Sequence, residues 1–182
     1  MTAGSPSPPK NIVLIGFMGS GKSSIARELS SALGYPMVDT DSLVVERAGK
    51  PIHDIFDQEG EEAFRELEST ILRELEESLP AHHIIATGGG IIGRPTNRDI
   101  LRKIGFVVWL VVSAGEIIRR TENSRDRPLL NNDDQAGTIE RLLDERRELY
   151  RATAHQEIET DELTFPEITT GILESARYFF SE

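Results

Sequence analysis

A short apolar run that opens into a glycine-rich turn constrains this chain more than any other segment. Residues 12–24 read IVLIGFMGSGKSS, which matches the phosphate-binding pattern G-x-x-x-x-G-K-[ST]. Residues 12–15 are typical of a buried strand, and the apolar residues after the turn recur at helical spacing. A turn that matched the pattern by chance would not be expected to lie between a strand and a helix. The segment therefore predicts the strand, loop and helix of an α/β phosphate-binding fold.

The residue types of this loop suit a bound polyphosphate. Glycines let successive backbone N–H groups point inward, and the helix expected over Lys22–Leu33 adds its positive N-terminal dipole. In this pattern Lys22 reaches the β- and γ-phosphates, and the Ser23 hydroxyl holds Mg²⁺. We predict that nucleotide phosphates are bound by Gly19, Ser20, Gly21, Lys22, Ser23 and Ser24.

The rest of the chain alternates apolar strands with helical patterns, which predicts a parallel sheet with helices on both faces. Strands are expected at Asn11–Ile15, Met37–Val38, His83–Ala86, Phe106–Leu110 and about Gln156–Glu159. Helices are expected at Lys22–Leu33, Ser42–Ala48, Glu59–Glu77, Thr96–Ile104, Gly115–Thr121, Thr138–Tyr150 and Pro166–Phe180. Residues 11–182 would form one domain, with a disordered tail over 1–10 and a mobile lid over about 122–134.

Charge and hydropathy exclude several classes of partner. A net charge of −11 over 182 residues disfavours a general nucleic-acid-binding protein, which needs a basic face. No apolar run approaches the roughly 20 residues of a membrane span. The N-terminus lacks the apolar segment of a signal peptide, and there is no cysteine. These features favour a cytoplasmic protein without nucleic-acid or membrane partners.

Two carboxylates follow the second predicted strand. Because ligands bind beyond the carboxyl ends of parallel strands, Asp39 and Asp41 should lie near the phosphate loop. Residues two apart on a strand point the same way, so both carboxylates could face one cleft. One would then lie near Mg²⁺, and the other could take the proton of a hydroxyl nucleophile. The alternative is that Asp41 only caps the next helix.

Three glycines follow the third predicted strand, and two arginine positions stand out elsewhere. Gly88, Gly89 and Gly90 would let another group approach the backbone closely, although a flexible turn explains them equally well. Arg65 stands three residues before Glu68, which could orient its guanidinium toward a carboxylate. A surface ion pair beside core aromatic residues is the simpler explanation of this pair. An arginine in the predicted lid could close over a transferring phosphate, or could be an ordinary solvated residue.

Taken in order, these motifs resemble shikimate kinases. The shared set is GFMGSGKS, DTD, IF…GE…FR…E, ATGGG, RPLL and R-x-x-x-Y, and it extends over residues 12–166. The resemblance implies a P-loop kinase fold, with a five-stranded parallel sheet between helices as in nucleoside monophosphate kinases. It also implies a monomer of the aromatic amino acid (chorismate) pathway that transfers the γ-phosphate of ATP to the 3-hydroxyl of shikimate, with Mg²⁺.

The resemblance assigns roles to individual residues. The catalytic residues would be Lys22, Asp41 and Arg127, with Asp41 as the base for the phosphorylated hydroxyl. Ser23 and Asp39 would hold Mg²⁺. The substrate would contact Asp41, Arg65, Gly88, Gly89, Gly90 and Arg146, and its binding region would cover about residues 41–73. The nucleotide would also contact Arg120, Arg127 and Thr164, the last at a position where some family members carry a basic residue.

Two other functions are compatible with parts of this pattern. A kinase of another small hydroxy acid such as gluconate, or of a nucleotide, would share the loop but need a different acceptor pocket. A non-catalytic ATP-binding module would be expected to lack Asp41 or the acid-binding arginines. Those residues are present, which favours an enzyme.

Overall fold

The computed structural model describes residues 10–121, 128–130 and 134–181 of this chain. Its strands are β1 (Ile12–Ile15), β2 (Met37–Asp39), β3 (Ile84–Ala86), β4 (Phe106–Val111) and β5 (Gln156–Glu159). Within these ranges the α-helices are α1 (Lys22–Leu33), α2 (Thr40–Ala48), α3 (Ile52–Glu59), α4 (Glu61–Ser78), α5 (Pro95–Ile104), α6 (Ala114–Thr121), α7 (Gln135–Thr153) and α8 (Phe165–Phe179). Short 3-10 turns occupy Ile91–Gly93 and Pro128–Leu130.

The strands form one parallel sheet in the order β2-β3-β1-β4-β5. Strand β1 lies in the middle, where Ile12 aligns with Ile84 of β3 on one side and with Phe106 of β4 on the other. The predicted five-stranded parallel sheet is therefore confirmed. The phosphate-binding loop leaves the central strand, so it lies at the centre of the sheet's carboxyl edge, where ligands of such sheets bind.

Alternate residues of β1 serve the two faces of the sheet. Val13 and Ile15 pack in a core formed with α4, α5 and α7, whereas Ile12 and Leu14 pack against α1 and α8. All four side chains are 0% exposed. Because helices cover both faces, the strand is apolar at every position rather than at alternate ones.

The helix α3 was not among the predicted elements. It has only eight residues and is bounded by Pro51 and by Gly60, whose φ of 87° ends the helix. A proline and a glycine so close together indicate a loop in the sequence, and a window of eight residues is too short for helical periodicity to stand out. Ile55 nevertheless packs fully buried in the core, which holds α3 against its neighbours.

The proposed division of the chain is only partly covered by the described residues. Residues 1–9 of the predicted tail, and 122–127 and 131–133 of the predicted lid, lie outside them. The tail, the lid and the single-domain boundary therefore stay predictions. Among the helices that the structure describes, none is both long enough and apolar enough to cross a bilayer.

Candidate active site

A cleft of about 530 Å³ opens at the carboxyl edge of the sheet. Strands β1, β2 and β3 all end at it, so it gathers residues that are far apart in the sequence. The predicted site residues that line the cleft are Gly19, Gly21, Lys22, Ser23, Ser24, Asp39, Asp41, Arg65, Gly88, Gly89, Gly90, Arg120 and Arg146. Arg127 lies outside the described residues.

The phosphate-binding loop depends on glycine conformations that other residues rarely adopt. Gly19 and Gly21 have φ angles of 82° and 91°, in the left-handed region. Lys22 is buried, and its Nζ donates hydrogen bonds of 2.8 Å to the carbonyls of Gly16 and Phe17, with Ser20 Oγ at 3.3 Å. The loop therefore holds the ammonium group at the floor of the cleft, where a bound phosphate would meet it.

Asp39 couples the loop to the second strand. One carboxylate oxygen, Oδ2, accepts a hydrogen bond of 3.2 Å from Ser23 Oγ, and both residues line the cleft. This hydroxyl and carboxylate fit Mg²⁺, which proteins bind through one or two carboxylates plus the substrate's phosphates. No described group of three or more His, Cys, Asp or Glu side chains could enclose a metal ion on its own.

The predicted strand geometry of the two aspartates is wrong. Helix α2 begins at Thr40, directly after β2, because Asp39 Oδ1 accepts hydrogen bonds from the backbone N–H groups of Asp41 and Ser42. Asp39 is thus the helix cap, and Asp41 lies in the first helical turn. The alternative that Asp41 serves as the cap is equally wrong.

Asp41 faces the cleft and does not cap the helix. Its side chain lines the cleft, and Oδ1 is buried without a hydrogen-bond partner in the described part of the chain. Burial and then the Asp39 charge raise the pKa of Asp41, while Lys22 and Arg65 act in the opposite direction. A buried carboxylate oxygen without a hydrogen-bond partner lowers the stability of the fold. It is therefore suited to accept a hydrogen bond from a ligand.

The three glycines form a tightly packed turn. Gly88 N donates to Thr40 Oγ1 at 3.0 Å, which ties the turn to α2. A Cβ added to Gly89 would lie 3.0 Å from Met18 N, and one added to Gly90 would lie 2.6 Å from Arg65 Cζ. The absence of side chains therefore lets the turn contact the phosphate loop and the Arg65 guanidinium at once.

Arg65 is not a surface residue, so the simpler explanation of its pairing is wrong. Its side chain is 14% exposed, and Nη1 donates to Glu68 Oε2 at 2.6 Å, where Glu68 is 0% exposed. On the rim, Nη2 donates to Glu61 at 2.9 Å. The ring of Phe64 lies 5.1 Å from the Arg65 guanidinium carbon. The guanidinium is thus held at the cleft wall by residues of α4.

Arg146 approaches the same turn from α7. Its Nη1 lies 3.4 Å from the Gly89 carbonyl, and its guanidinium carbon lies 5.7 Å from the Phe17 ring centre. The buried Tyr150 hydroxyl also donates to the Gly89 carbonyl, and burial raises the pKa of Tyr150 to about 12. The sequence marked Tyr150 only as the end of the R-x-x-x-Y motif. Its spacing of four residues from Arg146 on one helix face was the signal for a shared contact.

Of the two further described residues that were predicted to bind the nucleotide, Arg120 lines the cleft and Thr164 does not. Arg120 donates to Glu116 Oε1 at 2.6 Å and to the carbonyl of Gly19 at 3.2 Å, so it lies against the phosphate loop. Thr164 caps α8 in a capping box with Glu167, and the neighbouring Phe165 lines the cleft instead. The contact of Thr164 with a nucleotide therefore stays a prediction, with its hydroxyl already engaged by the helix.

The strand order and the loop on the central strand place this chain among P-loop kinases of the nucleoside monophosphate kinase type. The guanidinium groups of Arg65 and Arg146 and the carboxylate of Asp41 line the same cleft as the phosphate loop. These groups suit a small anionic acceptor with a hydroxyl.

The chain belongs to the shikimate kinase family, whose sequence model, described as "SKI: Shikimate kinase", matches residues 18–177. A shikimate kinase of Thioalkalivibrio sulfidiphilus is 42% identical over 171 residues, which are 93% of this chain and 86% of that relative. The solved shikimate kinase from Acinetobacter baumannii in complex with shikimate is 35% identical, with a TM-score of 0.87 and 93% of each chain covered. A gluconokinase from Sinorhizobium meliloti covers 96% of this chain and 98% of its own at 19% identity and a TM-score of 0.57, which is a likeness of fold alone.

Proposed function

We propose that this chain transfers the γ-phosphoryl group of ATP to the 3-hydroxyl of shikimate, giving ADP and shikimate 3-phosphate for chorismate synthesis. The observation that carries the proposal is a single cleft lined by Lys22 on its phosphate side and by Asp41, Arg65 and Arg146 on its acceptor side. Shikimate offers a carboxylate for the arginines and hydroxyls for Asp41. Membership of the shikimate kinase family supports this choice of acceptor.

On the nucleotide side, we propose that the phosphates of ATP occupy the loop at residues 19–24. Lys22 exchanges its contacts with the Gly16 and Phe17 carbonyls for contacts with phosphate oxygens. Ser23 and Asp39 hold Mg²⁺, which when bound supplies positive charge to the β- and γ-phosphates. Arg120 and Thr164 border the nucleoside, and Arg127 of the predicted lid approaches the transferred phosphoryl group.

On the acceptor side, we propose that Arg65 and Arg146 bind the shikimate carboxylate and that Asp41 binds the 3-hydroxyl. The Gly89 carbonyl already accepts from Tyr150 and Arg146, so a contact from Gly89 to the acceptor would use its N–H. The lack of side chains at Gly88 and Gly90 lets the ring approach both Asp41 and Arg65. The two ligands then meet between Lys22 and Asp41.

The transfer step follows from this arrangement. Asp41 accepts the proton of the 3-hydroxyl as the hydroxyl oxygen forms its bond to the γ-phosphorus. The bond from that phosphorus to the bridging oxygen breaks in line, and ADP leaves with the electron pair. Lys22 and Arg127 stabilise the charge that spreads over the transferred group. Most of the rate enhancement comes from holding the two reactants in this geometry.

We propose that a single chain is the active unit and that it works in the cytoplasm. Residues of this chain line both the phosphate side and the acceptor side of the cleft. The absence of cysteine is compatible with a reducing compartment.

An acceptor panel tests the assignment. ADP release from ATP with Mg²⁺ is measured alone and with shikimate, quinate, gluconate or nucleoside monophosphates. We expect strong stimulation by shikimate and weak or no stimulation by the others. Stimulation by gluconate or by a nucleotide in place of shikimate would assign a different acceptor. ATP binding without release in every case would favour the non-catalytic module.

Replacing Arg65 by alanine should mainly weaken acceptor binding. We expect the KM for shikimate to rise by an amount equivalent to about 2–5 kcal/mol, because the lost guanidinium is largely buried. The KM for ATP should change little. Glu68 loses its partner in this variant, but Arg65 lowers the pKa of Glu68, so without Arg65 this pKa rises and Glu68 can stay buried as a neutral acid. Steady-state kinetics with each substrate varied in turn measure both constants.

Arg73→Ala is the matched control for that variant. Arg73 lies on the same helix, α4, but its side chain is 54% exposed and pairs with Glu66 away from the cleft. It should leave both KM values near those of the wild type. An unchanged shikimate KM in Arg65→Ala would remove Arg65 from the acceptor site.

A further inference from the structure

Two carboxylate oxygens face the same small space above Gly88. Glu68 Oε1 and Asp41 Oδ1 are both buried without a hydrogen-bond partner among the described residues. A Cβ added to Gly88 would lie 2.6 Å from Glu68 Oε1 and 2.7 Å from Asp41 Oδ1. Two ionised carboxylates directed at one buried point repel each other and leave both oxygens unsatisfied. One proton between them would relieve the repulsion.

We propose that Glu68 carries a proton in the acceptor-free enzyme and is a positioning residue for the acceptor. The proposal rests on the proposed function of this cleft. As a neutral acid, Glu68 still accepts from Arg65 Nη1 through Oε2, and its protonated Oε1 shares the space above Gly88 with Asp41 Oδ1. Asp41 then remains the ionised carboxylate that receives the acceptor hydroxyl. Arg65 keeps a positive charge that its buried neighbour does not neutralise.

The surroundings of Glu68 support the neutral form. The pKa of Glu68 is raised to about 7. Burial is the largest cause, and the charge of Asp41 on α2 acts in the same direction, whereas the charge and hydrogen bond of Arg65 on its own helix and the charge of Arg146 on α7 lower this pKa. Tyr150, also on α7, faces the same group and stays neutral, since its own pKa is about 12. Glu68 is thus a carboxyl of this cleft whose charge changes near neutral pH.

Binding of an anionic acceptor should therefore depend on pH. An ionised Glu68 would neutralise Arg65 and add a negative charge beside Asp41, so a carboxylate ligand would bind more weakly. A bound carboxylate also shares the positive field of Arg65, which makes the proton on Glu68 harder to remove. Acceptor binding should accordingly take up protons at a pH above the pKa of Glu68, and affinity should fall as the pH rises through it.

The test is the dissociation constant of shikimate, measured by titration calorimetry from about pH 6 to about pH 8.5 in buffers of different ionisation enthalpy. For the wild type we expect the constant to rise above about pH 7, approaching tenfold per pH unit, with proton uptake. Glu68→Gln copies the neutral acid, so its constant should stay near the low-pH wild-type value at every pH, without proton uptake. Glu62→Gln should follow the wild type, since Glu62 is an exposed residue of α4 that pairs with Arg94.

Three results would overturn the proposal. A wild-type dissociation constant for shikimate that does not change with pH, or binding without proton uptake, would show that Glu68 does not titrate with binding. Glu68→Gln with at least about tenfold weaker binding at low pH would show that the ionised Glu68–Arg65 pair is required. If Glu68→Gln does not fold, wild-type binding that is independent of pH still overturns the proposal. Shikimate phosphorylation with pH-independent binding would defeat this inference alone, whereas a wild type that does not bind shikimate would defeat the proposed function as well.

Discussion

Lys22→Ala should lower kcat by roughly a thousandfold while the protein stays folded. Lys22 is the ammonium group that the loop holds at the floor of the cleft, buried and hydrogen-bonded to the carbonyls of Gly16 and Phe17. Phosphoryl transfer is catalysed mainly by positioning and by positive charge on the phosphate oxygens, and alanine supplies neither. The KM for ATP should also rise, because the Lys22 ammonium group also attracts the phosphates of ATP before the reaction begins.

Steady-state ADP release in the presence of shikimate measures this effect, and thermal unfolding checks the fold. Lys103→Ala is the matched control, since Lys103 is 67% exposed on α5 and pairs with Glu76. It should retain wild-type kinetics. A Lys22→Ala enzyme with normal turnover would mean that the glycine-rich loop does not bind the transferred phosphate.

Asp41→Asn should lower kcat by about a hundredfold to ten-thousandfold, the usual range for loss of a general base. Asparagine has the same shape and can still accept a hydrogen bond from the acceptor hydroxyl, so the KM for shikimate should change much less. It cannot take the proton. The structure supports this role because Asp41 Oδ1 is a buried oxygen with no partner among the described residues and lies in the cleft beside Arg65.

The kcat and KM values of this variant should be compared with those of Asp54→Asn. Asp54 lies on α3, its side chain is 38% exposed, and it pairs with His53 outside the cleft. That control should behave as the wild type. Full turnover in Asp41→Asn would remove Asp41 as the base, and a large rise in shikimate KM with unchanged kcat would limit it to acceptor binding.

Much of the fold was predictable because it is encoded locally. The central strand is a continuous apolar run, since helices cover both faces of the sheet, and its glycine-rich turn requires backbone conformations that few other residues adopt. Helix α3 was not predicted because it is short and because Pro51 and Gly60 on its two sides are typical of a loop. Its stability comes from packing Ile55 into the core, which the local sequence does not show.

The sequence predicted which residues belong to the site but not how they are arranged in space. The ordered motifs brought Lys22, Asp41 and Arg65 into one hypothesis, and the structure places all three in one cleft. The sequence could not show that α2 begins directly after β2, which changes how Asp41 is presented. Roles in catalysis and binding stay predictions until the variants are measured.

The sequence did not indicate which charged residues are buried. Helix α4 carries glutamates at positions 61, 62, 66, 68, 74, 76 and 77, and a charged helix of this kind indicates a solvated surface. Glu68 is fully buried beside Gly88, whereas Glu62 on the same helix is exposed. The contact of Tyr150 with Gly89 is likewise tertiary, since the two residues are 61 positions apart.

The position of the new phosphate on the product tests the central claim most directly. After ATP and shikimate are incubated with the enzyme and Mg²⁺, phosphorus–proton coupling in the NMR spectrum of the product identifies the phosphorylated carbon. We expect one shikimate 3-phosphate for each ADP, with the phosphorus coupled to the proton at C3. ADP with only inorganic phosphate, or a phosphate on another hydroxyl, would contradict a site in which Asp41 directs the 3-hydroxyl at the γ-phosphorus.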